Sequence, residues 1–257
     1  MKNYTKLLNN LFSEWKKERE FTHFYQDGLM YRGDYCYNED NVPCWREPGN
    51  ESEMWDKCSA RIMFLLKDAN SRGDTEEMDD DLRGRVFWNT SYRGYKNLTY
   101  WLYGLLKTME TGQAPEYTFS DKEASELFDK TPVAYVNCKK QAGHSSVDYN
   151  TLLKYMERDK EFLIKEIELL NPDIIMCCAY TDSLGNPIFD FVKENICTDL
   201  SKIDESGWIY YSAQSNKVVI DAYHFVTRQK TNEAMYEDMI EAFNEFIQKY
   251  PGFRKLR

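Results

Sequence analysis

The chain has 257 residues, 42% of them hydrophobic and 30% charged, which suits a large folded core and excludes global disorder. A net charge of −10 argues against broad, sequence-independent nucleic-acid binding, because that mode relies on Lys and Arg neutralising phosphates; a local basic groove remains compatible with it. No apolar segment approaches the roughly 20 residues that span a bilayer, and Met1-Lys2-Asn3-Tyr4-Thr5 lacks the apolar core of a signal peptide. A cytoplasmic location with no membrane partner is the expectation. The seven cysteines are odd in number and include the adjacent Cys177 and Cys178 within an apolar run, a pattern of reduced thiols instead of a disulfide framework.

Taken in order, Leu7, Leu8, Leu11, Phe12 and Trp15 recur at helical spacing and predict an amphipathic helix over residues 4–18. From Glu20 to Lys57 periodicity is lost and aromatic residues are frequent, so residues 1–60 read as a helix plus an irregular excursion packed on the domain. Cys36, Cys44 and Cys58 fall in or beside it without the C-x-x-C pairing of a zinc signature, and no metal is expected there. Ile62 to Leu66 then predicts a strand buried on both faces, ending at a polar loop that starts with Lys67-Asp68-Ala69-Asn70. Asp68 fits a site carboxylate at a strand's carboxyl end, and equally a turn or capping residue.

Six acids crowd Asp74 to Asp81, whereas Leu82 to Met109 holds Arg83, Arg85, Arg93, Lys96 and Lys107 with no Asp or Glu. This is a segregated charge pattern, a solvated acidic run beside a candidate basic groove. Leu98, Trp101, Leu102, Leu105 and Leu106 mark a helix, and Ser120-Asp121-Lys122-Glu123 a capping box. Val133 to Val136 predicts a second buried strand ending at Asn137-Cys138-Lys139-Lys140, followed by a polar loop from Gln141 to Asp148 and a long helical region closed by Asn171-Pro172-Asp173. Ile174 to Ala179 predicts a third strand and Pro187 to Asn195 a helix. Trp208 to Ser212 and Lys217 to Asp221 suit a hairpin, or a cross-over edge and the last central strand, and Thr231 or Asn232 caps a final helix.

Buried strands alternating with amphipathic helices imply one α/β domain over residues 1–257, a three-layer α/β/α sandwich with a mainly parallel central sheet of about four strands. Its strand ends would offer Asp68, Asn137, residues 179–182 and His224 to one crevice. The sequence has no phosphate-binding P-loop, dinucleotide fingerprint or nucleophile elbow. With only three histidines, a His-based metal site is poorly supplied.

The order of these strand-end signals resembles the uracil-DNA glycosylase superfamily. Leu66-Lys67-Asp68-Ala69-Asn70 stands where that superfamily carries G-Q-D-P-Y, and Arg85-Val86-Phe87-Trp88 where it supplies a stacking Phe. Val133 to Asn137 is similar to the strand whose terminal Asn reads the base edge, and His224-Phe225-Val226 occupies the H-P-S position. The run from Pro132 through Asn137-Cys138-Lys139-Lys140 to Leu169-Leu170-Asn171-Pro172-Asp173-Ile174-Ile175 looks like the helix–strand core shared by several branches of the family. The resemblance covers roughly residues 61–229 and implies a uracil-DNA glycosylase-like fold and a hydrolase that flips a damaged, deaminated or modified base into a pocket and cuts its N-glycosidic bond, in DNA repair.

Its implied roles are Asp68 and His224 as catalytic residues, and Asn137, Phe87, Trp88 and Asn70 at the base. Arg83, Arg85, Arg93, Lys96, Lys139 and Arg228 would meet the nucleic-acid backbone. The scheme needs no metal or cofactor. Its partners would be DNA, single-stranded or modified, or a nucleobase or nucleoside. Two rivals share the same fold: a non-catalytic module for a nucleobase, nucleotide or protein partner, and a hydrolase of free nucleosides.

Overall fold

The computed structural model describes residues 2–21, 23–70, 80–81, 83, 93–143 and 148–255. The first half runs α1 (Tyr4–Glu18), β1 (Tyr25–Gln26), β2 (Gly28–Met30), β3 (Tyr35–Tyr37), β4 (Pro43–Trp45), α2 (Glu51–Lys57), β5 (Ile62–Asn70), β6 (Asp80–Asp81), α3 (Arg93–Thr111) and α4 (Asp121–Asp129). The second half runs β7 (Val133–Gly143), α5 (Tyr149–Arg158), α6 (Lys160–Leu170), β8 (Ile174–Tyr180), α7 (Pro187–Asn195), β9 (Ser201–Lys202), β10 (Ile209–Ser212), β11 (Lys217–Tyr223) and α8 (Asn232–Lys249).

Local chemistry accounts for most of these boundaries. Asn3 caps α1 by accepting from the Lys6 N–H at 2.8 Å. Ser120 and Glu123 form the expected capping box at α4. The long helical region is two helices, broken at Asp159, whose buried carboxylate is held by Arg19 at 3.3 Å and Arg158 at 2.6 Å. Asn171 ends α6 in the left-handed conformation, at φ 44°, which Asn tolerates better than most residues.

One seven-stranded sheet organises the chain, in the order β2-β7-β5-β8-β11-β10-β9. Its four central strands, β7, β5, β8 and β11, are mutually parallel, and β2, β10 and β9 add antiparallel edges. The α/β class stands, but the sheet is mixed and wider than the expected four parallel strands. The added edges are too short to show a two-residue period: β2 has three residues, inside the stretch that reads as an irregular excursion, and β9 has two.

Both faces of the sheet are covered. Ile62, Phe64 and Leu66 of β5 face a core built with α3, α4 and α8, while Met63 and Leu65 face a second core built with α1, α5, α6 and α7. Each such side chain contributes roughly 1.5–3 kcal/mol on burial. Chain order across the four parallel strands is second, first, third, fourth, so successive connections leave β5 in opposite directions. The switch point lies between the carboxyl ends of β5 and β8, where α/β sheets open a crevice.

Asn186 ties this arrangement together beside the third strand. Its side-chain oxygen accepts from the Ile188 and Phe189 N–H groups at the start of α7, with Pro187 occupying the first turn. Its amide donates to the Cys177 carbonyl at 2.6 Å and to Asp221 at 2.8 Å, linking β8, β11 and the helix. Asn186→Ala removes a helix cap and strands a buried carbonyl. We expect it to cost about 2–3 kcal/mol, read as a lower urea midpoint with an unchanged slope.

Candidate functional site

Strand β5 runs past its apolar segment to Asn70, so Lys67 and Asp68 are strand residues and not loop residues. Asp68 pairs in register with Lys139 on β7, their side chains are only 9% and 7% exposed, and Oδ2 lies 3.8 Å from Nζ. That separation is an ion-pair contact, longer than a hydrogen bond, and among the described residues Asp68 Oδ2 has no hydrogen-bond partner. Burial holds the Asp68 carboxyl above its ordinary range, with Lys139 and Lys67 pulling it back down. Burial likewise lowers Lys139 and Lys67, and Asp68 opposes both shifts. A carboxylate and two ammonium groups are thus held part-buried with an acceptor left over, a combination that clusters at functional sites. Lys139 also donates to the Gln141 carbonyl at 3.1 Å and lies 5.0 Å over the Tyr155 ring.

His224 follows directly after β11. Its Nδ1 accepts from the Val226 N–H at 3.4 Å, which assigns the ring proton to Nε2, and the ring stacks on Phe225 at 4.5 Å. Burial pushes the imidazole down to about 4, and Lys67 adds to the effect, so the ring is neutral at physiological pH and its Nε2–H is a donor. The Lys67 ammonium therefore acts on both Asp68 and His224. Helix α3 fixes the loop beyond: Asn97 donates to the Phe225 carbonyl at 2.6 Å. A Cβ on Gly94 would meet Phe225 and Val226 at 2.6 Å, so the helix start can approach this closely because residue 94 has no side chain.

Asn137 requires a correction. Strand β7 continues to Gly143, which places Asn137 within the strand, fully buried, and not at its end. Its backbone N–H and its amide both donate to Asp27, at 2.7 and 3.0 Å. Its side chain is therefore committed to the core, and the geometry offers it no base edge to read. The partner, Asp27, belongs to a cluster that sequence spacing gave no way to find: Lys140 forms an ion pair with Asp27 and lies 2.7 Å from Glu166 Oε2, all three side chains being fully buried. Burial alone would lower Lys140, but the two carboxylates outweigh it and raise it. Burial pushes the Glu166 carboxyl well above its ordinary range, so one proton and one ammonium balance two acids.

Three of the six expected backbone-contact residues have internal partners. Arg83 donates to Asn9 and Gln26 at 2.9 and 3.1 Å, Lys96 pairs with Asp121 at 3.0 Å, and Lys139 faces Asp68 as described. Each of these three cations therefore already has an internal acceptor. Arg228 is exposed. Phe87, Trp88 and Arg85 lie outside the described residues, as do the side chains of Asn70 and Arg93.

A cavity of about 560 Å³ opens at the ends of β8 and β11, lined by Tyr180, Trp208, Asp221, Tyr223, Lys230 and Glu241, among others. Asp68, Lys139 and His224 do not line it. Burial pushes its Asp221 up to about 6, against the amide of Asn186. Acidic residues outnumber its single lysine, so it is a poor seat for a phosphate chain. Among the described residues, no three His, Cys, Asp or Glu side chains could together hold a metal ion, and no helix is long and apolar enough to cross a membrane. No protein-family model matches the chain, and no curated protein matches it significantly.

Two outcomes are expected from these titrations. An unfolded histidine takes up its proton near about pH 6.5, whereas folded His224 does so only near 4. The stability of the neutral ring is therefore present above the unfolded value and lost as pH falls. Wild type should lose about 2 kcal/mol more than His224→Gln between about pH 7 and about pH 4.5 in urea melts. In the buried cluster, Lys140→Met strands two acids and should cost about 3–5 kcal/mol. Glu166→Gln mimics the protonated carboxyl and should cost under about 1 kcal/mol. Because the folded Glu166 keeps a proton that the unfolded chain releases, wild type loses stability as pH rises above about 4.5, a decline that Glu166→Gln should remove.

Proposed function

We propose that the chain is a DNA glycosylase-like hydrolase that cleaves the N-glycosidic bond of a damaged, deaminated or modified base, with its site at the carboxyl ends of β5, β7 and β11. The observation that carries this reading is Asp68: a part-buried carboxylate beside two lysines, with one oxygen that has no hydrogen-bond partner among the described residues. Breaking a glycosidic C–N bond develops positive charge on the sugar and negative charge on the base. Asp68 is the group that stabilises the first and positions water. His224 Nε2–H, neutral and fixed by the Val226 contact, donates toward the second. Lys139 is a positioning residue that keeps Asp68 ionised in a site where burial favours the protonated acid. Phe87 and Trp88 remain the proposed stacking residues, and such stacking returns about 1–3 kcal/mol per base against the few kcal/mol lost on flipping.

A second reading, hydrolysis of free nucleosides, is favoured by a specific observation: among the described residues, Arg83, Lys96 and Lys139 already have internal partners, and a nucleoside needs no cations for a phosphate backbone.

Incubation with single- and double-stranded oligonucleotides carrying uracil, hypoxanthine, xanthine or hydroxymethylated bases, in parallel with the free nucleosides, separates the two readings by where base release appears. Asp68→Asn and His224→Ala should each reduce release by about a hundredfold or more while leaving the melting transition in place. Release needs ionised Asp68, so its rate should fall as pH drops through a carboxylate value above the ordinary one. Lys139→Met should move that acid limb further upward. Absence of release from every substrate would sink the hydrolase, and base binding without release would make this fold a recognition module.

A further inference from the structure

Four of the seven cysteines, Cys138, Cys177, Cys178 and Cys197, are buried, and burial pushes all four thiols up. Protonated and enclosed, they are poor nucleophiles. Cys58 lies 3.1 Å from the Trp55 carbonyl, to which its S–H donates. Cys36 and Cys44 differ from all of these in facing each other. They are half-buried, on β3 and β4 of a separate hairpin, directly opposite each other in register, with their sulfurs 3.4 Å apart.

The hairpin is built to hold that register. Asn38 accepts at its side-chain oxygen from the Asp40 and Val42 N–H groups, at 3.1 and 2.8 Å, and Asn41 takes the left-handed conformation the turn needs, at φ 57°. Backbone bonds from Asn38 N–H to Val42 C=O and from Arg46 N–H to Asp34 C=O fall two residues either side of the cysteines. Alternation along an antiparallel ladder therefore puts Cys36 and Cys44 at a hydrogen-bonded position, where Cα atoms are about 5.5 Å apart. That spacing is within the range a disulfide spans. Its Cβ atoms start somewhat farther apart than a relaxed disulfide prefers, so closure pulls on the ladder and leaves the bond easier to reduce.

We propose that Cys36 and Cys44 form a reversible thiol–disulfide site, a dithiol that a low-molecular-weight disulfide such as oxidised glutathione converts to a cross-strand bond. Either sulfur can donate across the 3.4 Å contact, so each thiol is placed to attack or to resolve; where Cys36 attacks, Cys44 resolves. Cys36 thiolate attacks one glutathione sulfur, the S–S bond breaks, and the first glutathione leaves as a thiolate that takes up the proton Cys36 gave. Cys44, deprotonated in turn, attacks the Cys36 sulfur of the mixed disulfide and expels the second glutathione. Two electrons pass from the protein thiols to the glutathione disulfide, and two molecules of reduced glutathione are formed.

The test treats the folded, full-length chain with oxidised glutathione, alkylates free thiols and maps the peptides by mass spectrometry. The expected result is a Cys36–Cys44 crosslink with the mass loss of two hydrogens, the four buried cysteines alkylatable only where unfolding exposes them, and recovery of both thiols in excess reduced glutathione. Cys58→Ser should form the same crosslink, and Cys44→Ser should stop at a stable glutathione adduct on Cys36. Cys36 and Cys44 found unreacted, capped separately by glutathione, or linked to Cys58 instead would overturn the assignment.

Discussion

The structure depends on one constraint: β5 is sealed on both faces and hydrogen-bonded on both edges. Its parallel neighbours β7 and β8 satisfy the backbone, and two separate cores take its alternate side chains. A strand in that position has no place for a polar residue until it leaves the cores. Lys67 and Asp68 are the first residues to do so, and they do it beside the switch point of the sheet, where the connections diverge. The site chemistry is thus a by-product of topology. Asp68 pairs with Lys139 at the last regular step before the β5–β7 ladder shifts register toward Asn70.

The same sheet carries a second polar assembly of a different kind. Lys140 enters the core on α1's side with two acids around it, and the Phe12 and Trp15 rings lie 5.3 and 5.5 Å from its ammonium. Replacing such a group by apolar residues often leaves stability unchanged or improves it, so its presence is better explained by specificity than by strength. It joins the segment before β2, strand β7 and helix α6, three pieces distant in sequence, through one charge that accepts few alternative partners. The two assemblies differ in how closely their charges meet. Lys140 pairs directly with Asp27 and lies 2.7 Å from Glu166, whereas Asp68 and Lys139 stand 3.8 Å apart.

Elements with a strong period were legible in the sequence: α1, the apolar part of β5, β8, α7 and the capping box at α4 all fall where the apolar spacing and turn residues put them. The misreadings share a cause. Polar residues at the ends of β5 and β7 look like the loss of a strand, but parallel pairing continues through them because backbone hydrogen bonds do not depend on side-chain polarity. That extension moved Asn137 from a strand end into the core. Burial of Asp27, Lys140 and Glu166 was equally unreadable, since three charged residues separated by 113 and 26 positions carry no local signal. The hairpin that aligns Cys36 with Cys44 was hidden because strands of three residues cannot display alternation.

Asp27 has a further effect at the margin of the sheet. Strand β2 pairs with β7 only through Tyr135, so beyond that point β7 would present free N–H groups along an open edge. The Asp27 carboxylate takes the N–H of Asn137, the next donor along. A side chain thereby stands in for the missing strand at this buried donor, so the ladder's hydrogen bonding is completed by a single acid.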